Sequence, residues 1–191
     1  MPNRDSPMGF RPAIGIGRQH SFQLFPIDSA NGTAVFVGDM VSLVAAGAVN
    51  PAAANDGTIV AGVVVALYDA NFIPVGAYAS STTTKHLAAS TAGYALVAKA
   101  LAGAIFIGQS QTGQTPAATS IGATTDHVAG AGNTTTGISG HELNMSDLNN
   151  GGQVRILSLV REPSNSWAEH ADIYFEFNES AFMGSGAATG V

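Results

Sequence analysis

The most constraining feature of this sequence is a pair of alternating segments within residues 152–177. Apolar side chains occupy nearly every second position of both segments: Val154, Ile156 and Val160 in the first, where Ser158 takes the remaining position, and Ile173, Phe175 and Phe177 in the second. A period of two suits a β-strand, whose successive side chains point to opposite faces, and does not suit a helix. Between the segments, Pro163 lacks an N–H and is surrounded by turn-forming residues. The pattern predicts a long antiparallel hairpin around which the remaining strands gather.

Shorter strand signals precede this hairpin. They cover residues 21–25, 35–44, 58–67, 94–100, 104–109 and 138–143. Gly38 interrupts the second signal, and Gly62 predicts a bulge or bend in the third. The first three segments could close a small barrel or half-sandwich. No window keeps a helical apolar stripe over three turns. The predicted fold is therefore mainly β, either an antiparallel β-sandwich or a small β-barrel, with an extended N-terminal arm, long loops and little helix.

The domain organisation follows from the distribution of proline, glycine and small polar residues. Residues 1–20 combine three prolines with several glycines, which predicts an extended arm held by a partner surface or by the same chain. Residues 21–183 form a single β-rich domain, and residues 184–191 form a tail of small residues. Two long loops are expected, at 69–92 and at 110–136.

Composition narrows the classes of partner. Only 10% of the residues are charged, against about 25% in an average soluble domain. Such a surface suits a protein that remains packed against neighbours. The net charge of −6 disfavours nucleic acid as a partner, although residues 1–20 are mildly basic. No apolar run reaches the length of a membrane span and no signal peptide is recognisable, so we expect no membrane partner and synthesis in a cytoplasm.

The sequence shows no coherent site for chemistry. There is no cysteine, and the five histidines have no metal-binding spacing, so we interpret them as surface imidazoles. The segment around Ser139 lacks the glycine spacing of a nucleophile elbow. The glycines before Arg18 do not complete a dinucleotide-binding loop. We therefore predict no catalytic, cofactor-binding or metal-binding residues and no cofactor, and we expect that the chain is not an enzyme.

Several whole segments resemble a known family of structural proteins. They are residues 3–12, 104–109, 121–123, 130–140, 142–143, 155–157 and 161–165. This set resembles the decoration, or cement, proteins of tailed-bacteriophage capsids. The segments at 110–113 and 166–167 depart from the pattern, the first by lacking an acid and the second by its larger residues.

The resemblance implies a virion structural protein, synthesised in a host bacterial cytoplasm. It would bind the exterior of the expanded capsid and bridge neighbouring subunits of the major capsid protein. It also implies self-association, with a trimer favoured, and arms or strand addition as the means of gripping the shell. We expect contacts with the capsid from Phe10, Arg11, Ile14 and Arg18 and from the loop at 110–136.

Two other functions remain as hypotheses from different classes. Trp167, the only tryptophan, is either a surface anchor or, as we favour, a cap on the protein's own core. As an anchor it would act with Tyr174 in a glycan-binding β-module on a virion or cell surface. The other hypothesis is a hydrolase whose site is assembled from distant histidine and aspartate residues, which no spacing in the sequence favours.

Overall fold

The computed structural model describes residues 3–54, 59–76, 84–148 and 151–183. These residues form a mainly β fold, which confirms the predicted class, and its only helical elements are 3-10 turns at Ala45–Gly47 and Ala118–Ser120. No helix in these ranges is long and apolar enough to cross a membrane. The strands are β1 (Arg11–Gly17), β2 (Phe22–Ile27), β3 (Met40–Leu43), β4 (Val49–Pro51), β5 (Val60–Asp69), β6 (Gly93–Lys99), β7 (Ala104–Gln109), β8 (Thr124–Thr125), β9 (His127–Val128), β10 (Glu142–Leu143), β11 (Val154–Leu159) and β12 (Asp172–Phe177).

Five strands close a small barrel in the order β2-β4-β3-β5-β6. Each of the three segments predicted to close a barrel supplies one of them, and β4 and β6 complete the circle. Closure leaves no free strand edge inside the barrel. The core is mostly aliphatic, with Phe25, Ile27, Val35, Val41, Val49, Ala61, Val64, Leu67, Leu87, Ala95 and Val97 buried together.

The other large sheet is open, with five strands in the order β1-β7-β12-β11-β8. The predicted hairpin is confirmed as the antiparallel pair β11 and β12, in which Ile156 lies opposite Phe175. The core of this sheet is aromatic. Phe175 lies with its ring centroid 5.2 Å from that of Phe10, 5.9 Å from that of Phe106 and 5.6 Å from that of Phe177. A two-stranded sheet of β9 and β10 completes the fold.

Strand β5 belongs to the cores of both large sheets. Ala61 and Val64 are buried in the barrel core, whereas Val60 and Val63 pack into the core of the open sheet. The bulge or bend predicted at Gly62 coincides with a shift in the register of β3 against β5. At Gly62, φ is +152° and an added Cβ would stand 2.1 Å from the carbonyl oxygen of Ala98. Glycine is therefore required at this position.

The N-terminal segment packs on the chain itself, which is the second of the two alternatives for the extended arm. Residues 11–17 are an edge strand of the open sheet, antiparallel to β7. The preceding Phe10 is only 2% exposed, and its backbone N–H donates to the carbonyl of Gly38 at 2.8 Å. The chain itself thus holds this segment, because apolar burial and strand pairing outweigh the disorder that its prolines and glycines favour. The predicted tail at 184–191 and part of the loop at 69–92 lie outside the described residues.

Candidate functional site

The first residues of the described chain are fixed to the loop between β11 and β12. The Asn3 side-chain amide donates to the carbonyls of Ser166 and Glu169, at 2.9 and 3.0 Å, and accepts from the Ser166 N–H at 2.9 Å. The Gln109 side chain accepts from the Ser6 N–H at 3.0 Å and donates to the carbonyl of residue 4 at 3.1 Å. Residue 5 is therefore anchored on both sides.

Three metal-ligating side chains meet beside this anchor. Asp5, Glu142 and His170 each offer a ligand atom, and these atoms lie within 4.8 Å of one another. Asp5 Oδ1 is 3.8 Å from His170 Nδ1. His170 Nδ1 and Glu142 Oε1 are both closed off from solvent and make no hydrogen bond. Burial is the main reason that the pKa of Glu142 is raised, and the negative charge of Asp5 raises it further. His170 partly opposes this shift.

His170 is held in an unusual backbone conformation at this cluster. Its φ is +59°, a left-handed conformation that is uncommon outside glycine. Its Nε2 atom lies 3.6 Å from Glu169 Oε1, and that carboxylate also accepts from the N–H of Gly113. The ring is thus presented with Nδ1 toward Asp5 and Nε2 toward Glu169.

A small cleft of about 250 Å³ lies beneath the same N-terminal segment. Its lining includes both positive and negative groups, among them Arg11, Glu162 and Asp172. Burial is the main reason that the pKa of Asp172 is raised, and the positive charge of Arg11 partly opposes it. Arg11 therefore acts within the protein as a counter-charge to a half-buried carboxyl group.

A second polar cluster is buried between the barrel and the open sheet. Asp39 and His141 are 2% and 4% exposed, and Asp39 Oδ1 lies 3.5 Å from His141 Nε2. The Phe36 N–H donates to Asp39 Oδ2 at 2.8 Å, and Ser139 also hydrogen-bonds to this carboxyl group. Burial raises the pKa of Asp39 to about 6 and lowers the pKa of His141 to about 3.

This cluster brings His141 together with the distant Asp39, as the hydrolase hypothesis would require, and Ser139 lies beside them. The ring nitrogens of His141 are both engaged, because Nδ1 accepts from the Met40 N–H at 3.2 Å and Nε2 faces Asp39. A general base needs a free ring nitrogen next to the nucleophile. Ser139 instead accepts from the His141 backbone N–H at 3.0 Å. The arrangement fits a structural network at the border of an apolar cavity of about 520 Å³.

The interpretation of the histidines as surface imidazoles is wrong for three of them. His86, His127 and His141 are 8%, 1% and 4% exposed. His127 Nδ1 lies 2.6 Å from the side-chain oxygen of Gln153, a residue far along the chain. Neighbours in sequence point to opposite faces of a strand. The acidic residues next to His127 and His141 in sequence therefore did not indicate the hydrogen-bond partners of these histidines.

An apolar groove lies along β1 and the residues that follow it. Residues 13–20 and Phe22 line an open groove of about 500 Å³, which we call the 13–22 groove. Ile14, Ile16 and Phe22 are 92%, 41% and 52% exposed. Ile14 and Ile16 lie where the pairing of β1 with β7 is irregular, between Pro12 and Gly17, and β1 is the last strand of its sheet. Three of the nine large apolar side chains that are exposed in the described ranges line this groove, and such clusters commonly mark interaction sites.

The four residues predicted to contact the capsid differ in how far they are buried. Phe10 is buried in the aromatic core and is unavailable to a partner, so that prediction is wrong. Arg11 is half-buried, whereas Ile14 and Arg18 are exposed and both line the 13–22 groove. Trp167 is partly buried against the core of the open sheet, as expected for a cap.

The predicted contact loop at 110–136 is only partly a loop. It contains the short strands β8 and β9, and Thr125 and His127 are buried within it. Ile121 is 51% exposed at its surface. Nothing in the sequence indicated the cluster of Asp5, Glu142 and His170, because its members come from three distant segments.

Comparisons of the chain with protein-family models, with curated proteins and with solved structures found no match. The candidate sites therefore rest on their geometry and chemistry.

Proposed function

We propose that this chain is a virion structural protein that binds the outer surface of an expanded bacteriophage capsid and bridges neighbouring subunits of the major capsid protein. The observation that carries the proposal is the 13–22 groove, with Ile14 exposed at 92%. The low fraction of charged residues, 10%, and the resemblance to capsid cement proteins point to the same kind of partner.

Burial of the groove by a protein partner is energetically favourable. Covering a large apolar side chain contributes about 1.5–3 kcal/mol, and Ile14 and Phe22 each start at least half exposed. Strand β1 is paired with β7 and follows the buried Phe10, so the groove loses little conformational freedom on binding. Arg18 adds a positive charge at its border.

The glycan-binding alternative has no comparable support from the described residues. Trp167 packs against the core of the open sheet, which leaves less of its ring for stacking on a sugar. We therefore keep the capsid proposal, with self-association as a trimer as part of it.

The decisive experiment is co-sedimentation of the purified chain with expanded and unexpanded heads of its own virus. We expect saturable binding to expanded heads alone, at a copy number tied to the symmetry axes of the shell. Binding to neither form would refute the proposal. Light scattering of the free protein would establish whether it arrives at the capsid as a monomer or as a trimer.

A pair of variants tests the role of the groove itself. Ile14→Ser with Phe22→Ser removes two exposed apolar side chains, and we expect at least about tenfold weaker binding to expanded heads. Ile59→Ser is the matched control, because Ile59 is 56% exposed outside the groove. Equal binding by the groove variant and the control would exclude the 13–22 groove as the contact surface.

A further inference from the structure

We propose that Asp5, Glu142 and His170 bind one divalent transition-metal ion, with zinc as the best match. The proposal rests on the three ligand atoms within 4.8 Å of one another and on two enclosed atoms that lack a hydrogen-bond partner, His170 Nδ1 and Glu142 Oε1. It is independent of any role at a capsid.

The unsatisfied atoms are the observation that points to a ligand. A buried polar atom without a partner costs about 1–3 kcal/mol, and such atoms are rare in native proteins. Here an imidazole nitrogen and a carboxylate oxygen are both in this state beside a further carboxylate, that of Asp5. A cation bonded to all three would satisfy both atoms and neutralise the repulsion between the two acids.

The donor set selects the class of metal. Two carboxylates and one imidazole suit zinc and its first-row neighbours, which accept mixed oxygen and nitrogen ligands. Calcium takes 6–8 oxygen ligands, and magnesium prefers carboxylate, phosphate and water oxygens. The three side chains would leave a fourth tetrahedral position for water.

The geometry requires only a small adjustment. Donors around tetrahedral zinc stand roughly 3.3 Å apart, whereas Asp5 Oδ1 and His170 Nδ1 are 3.8 Å apart. The Asp5 side chain is 60% exposed and can rotate inward, whereas the His170 side chain is only 13% exposed and is held in place. Glu169 faces the other ring nitrogen at 3.6 Å, the position from which a carboxylate commonly orients a metal-binding histidine.

The position of the site gives the metal a structural role. Asp5 lies between the hydrogen-bonded residues 3 and 6 of the N-terminal segment, Glu142 is on β10, and His170 precedes β12. A metal bonded to all three would lock the N-terminal segment onto the body of the protein. Because a metal that binds only the folded chain stabilises it, saturation should also raise the melting temperature.

The test is isothermal titration of the tag-free full chain with zinc chloride, and in parallel with magnesium and calcium chloride. We expect one zinc ion per chain with micromolar or tighter affinity, and much weaker binding of magnesium and calcium. A hundredfold excess of zinc over its dissociation constant should raise Tm by about 5–10 °C. Absence of saturable zinc binding would overturn the proposal.

Three variants assign the ligands. Asp5→Asn, Glu142→Gln and His170→Asn should each weaken zinc binding by about tenfold or more and abolish most of the zinc-induced rise in Tm. Asparagine tolerates a positive φ, so His170→Asn keeps the backbone conformation. The controls are His20→Asn and Glu162→Gln, which change the same residue types elsewhere. Undiminished binding in the three variants, or equal loss in the controls, would show adventitious binding and refute the site.

Discussion

The barrel and the open sheet bury their apolar side chains in different ways. The barrel closes on itself and fills its interior with aliphatic side chains, and among the described residues Phe25 is the only aromatic member of its buried core. The open sheet keeps β1 and β8 as edges and buries four phenylalanines. The 13–22 groove lies at one of its edges, and the cluster of Asp5, Glu142 and His170 lies next to the loop that precedes β12.

This difference indicates that the barrel and the open sheet have different roles in the fold. A closed barrel offers no strand edge to a partner, so it serves as a scaffold. An open sheet retains an edge and irregular connections that can present side chains. The shared strand β5 should make the stability of each part depend on the other.

Gly62→Ala should have the largest effect, because it disrupts both cores at once. The added Cβ would stand 2.1 Å from a carbonyl oxygen of β6, and we expect a loss of more than about 4–5 kcal/mol in the free energy of unfolding. Gly47→Ala is the control, since φ is +73° there and no atom lies within 4 Å, and should cost about 1–2 kcal/mol. Urea denaturation measures both. A mild effect of Gly62→Ala would show that the barrel and the sheet can separate at β5.

Phe175→Ala should destabilise the open sheet by about 3–5 kcal/mol, because Phe175 is fully buried among aromatic rings. Trp167 packs on this core, so its fluorescence reports the sheet, whereas far-UV circular dichroism reports both parts. We expect the two signals to unfold at the same urea concentration. Separate transitions would establish the barrel as an independent unit. Leu87→Ala, in the barrel core, is the matching variant that destabilises the barrel instead of the open sheet.

Acidification from pH 6.5 to about 3 should lower the free energy of unfolding by about 2 kcal/mol, through His141 and Asp39 at the boundary between the two parts. His141 has a pKa of about 3 in the folded chain against 6.5 for an ordinary histidine, so only the unfolded chain takes up this proton as the pH falls, and stability declines. Asp39 acts in the opposite direction between pH about 6 and 3.8, because its folded form binds the proton first. The pKa of His141 differs between the folded and the unfolded chain over a wider pH range than that of Asp39. The loss of stability due to His141 therefore exceeds the gain due to Asp39.

Two variants separate these opposing contributions. Relative to the wild type, His141→Gln should lose less stability on acidification from pH 6.5 to pH 4, and Asp39→Asn should lose more. Urea denaturation at several pH values measures both slopes. Identical pH dependence in all three proteins would contradict the assignment.

Arg155→Gln should have the smallest effect, about 0–1 kcal/mol. Arg155 lies 3.6 Å from Glu176 across the outer face of β11 and β12, and its side chain is 48% exposed. Solvent and salt screen such a pair. A thermal melt that shifts by more than a few degrees would mean that the outer face of the open sheet contributes as much as its core.

The sequence predicted the strands better than their partners. Alternation located β11 and β12 and their buried face, and the glycine at 62 marked the bend of β5, because both signals are local. Phe10 was predicted to contact a partner but is buried. The prolines and glycines around it obscured the strand β1, whose pairing partner β7 is far along the chain. The cluster of Asp5, Glu142 and His170 and the Asp39 network depend on contacts between distant segments, for which a single sequence carries no signal.

The contacts of Asn3 with Ser166 have a consequence for biosynthesis. All five barrel strands lie within residues 22–99, so the barrel can close while the ribosome is still adding the remainder of the chain. Strand β1 must wait for β7, and Asn3 must wait for a partner that is synthesised 163 residues later. During that interval the N-terminal edge is unpaired and open to other chains. We expect a chaperone or a second nascent chain to meet this segment before its own C-terminal half does.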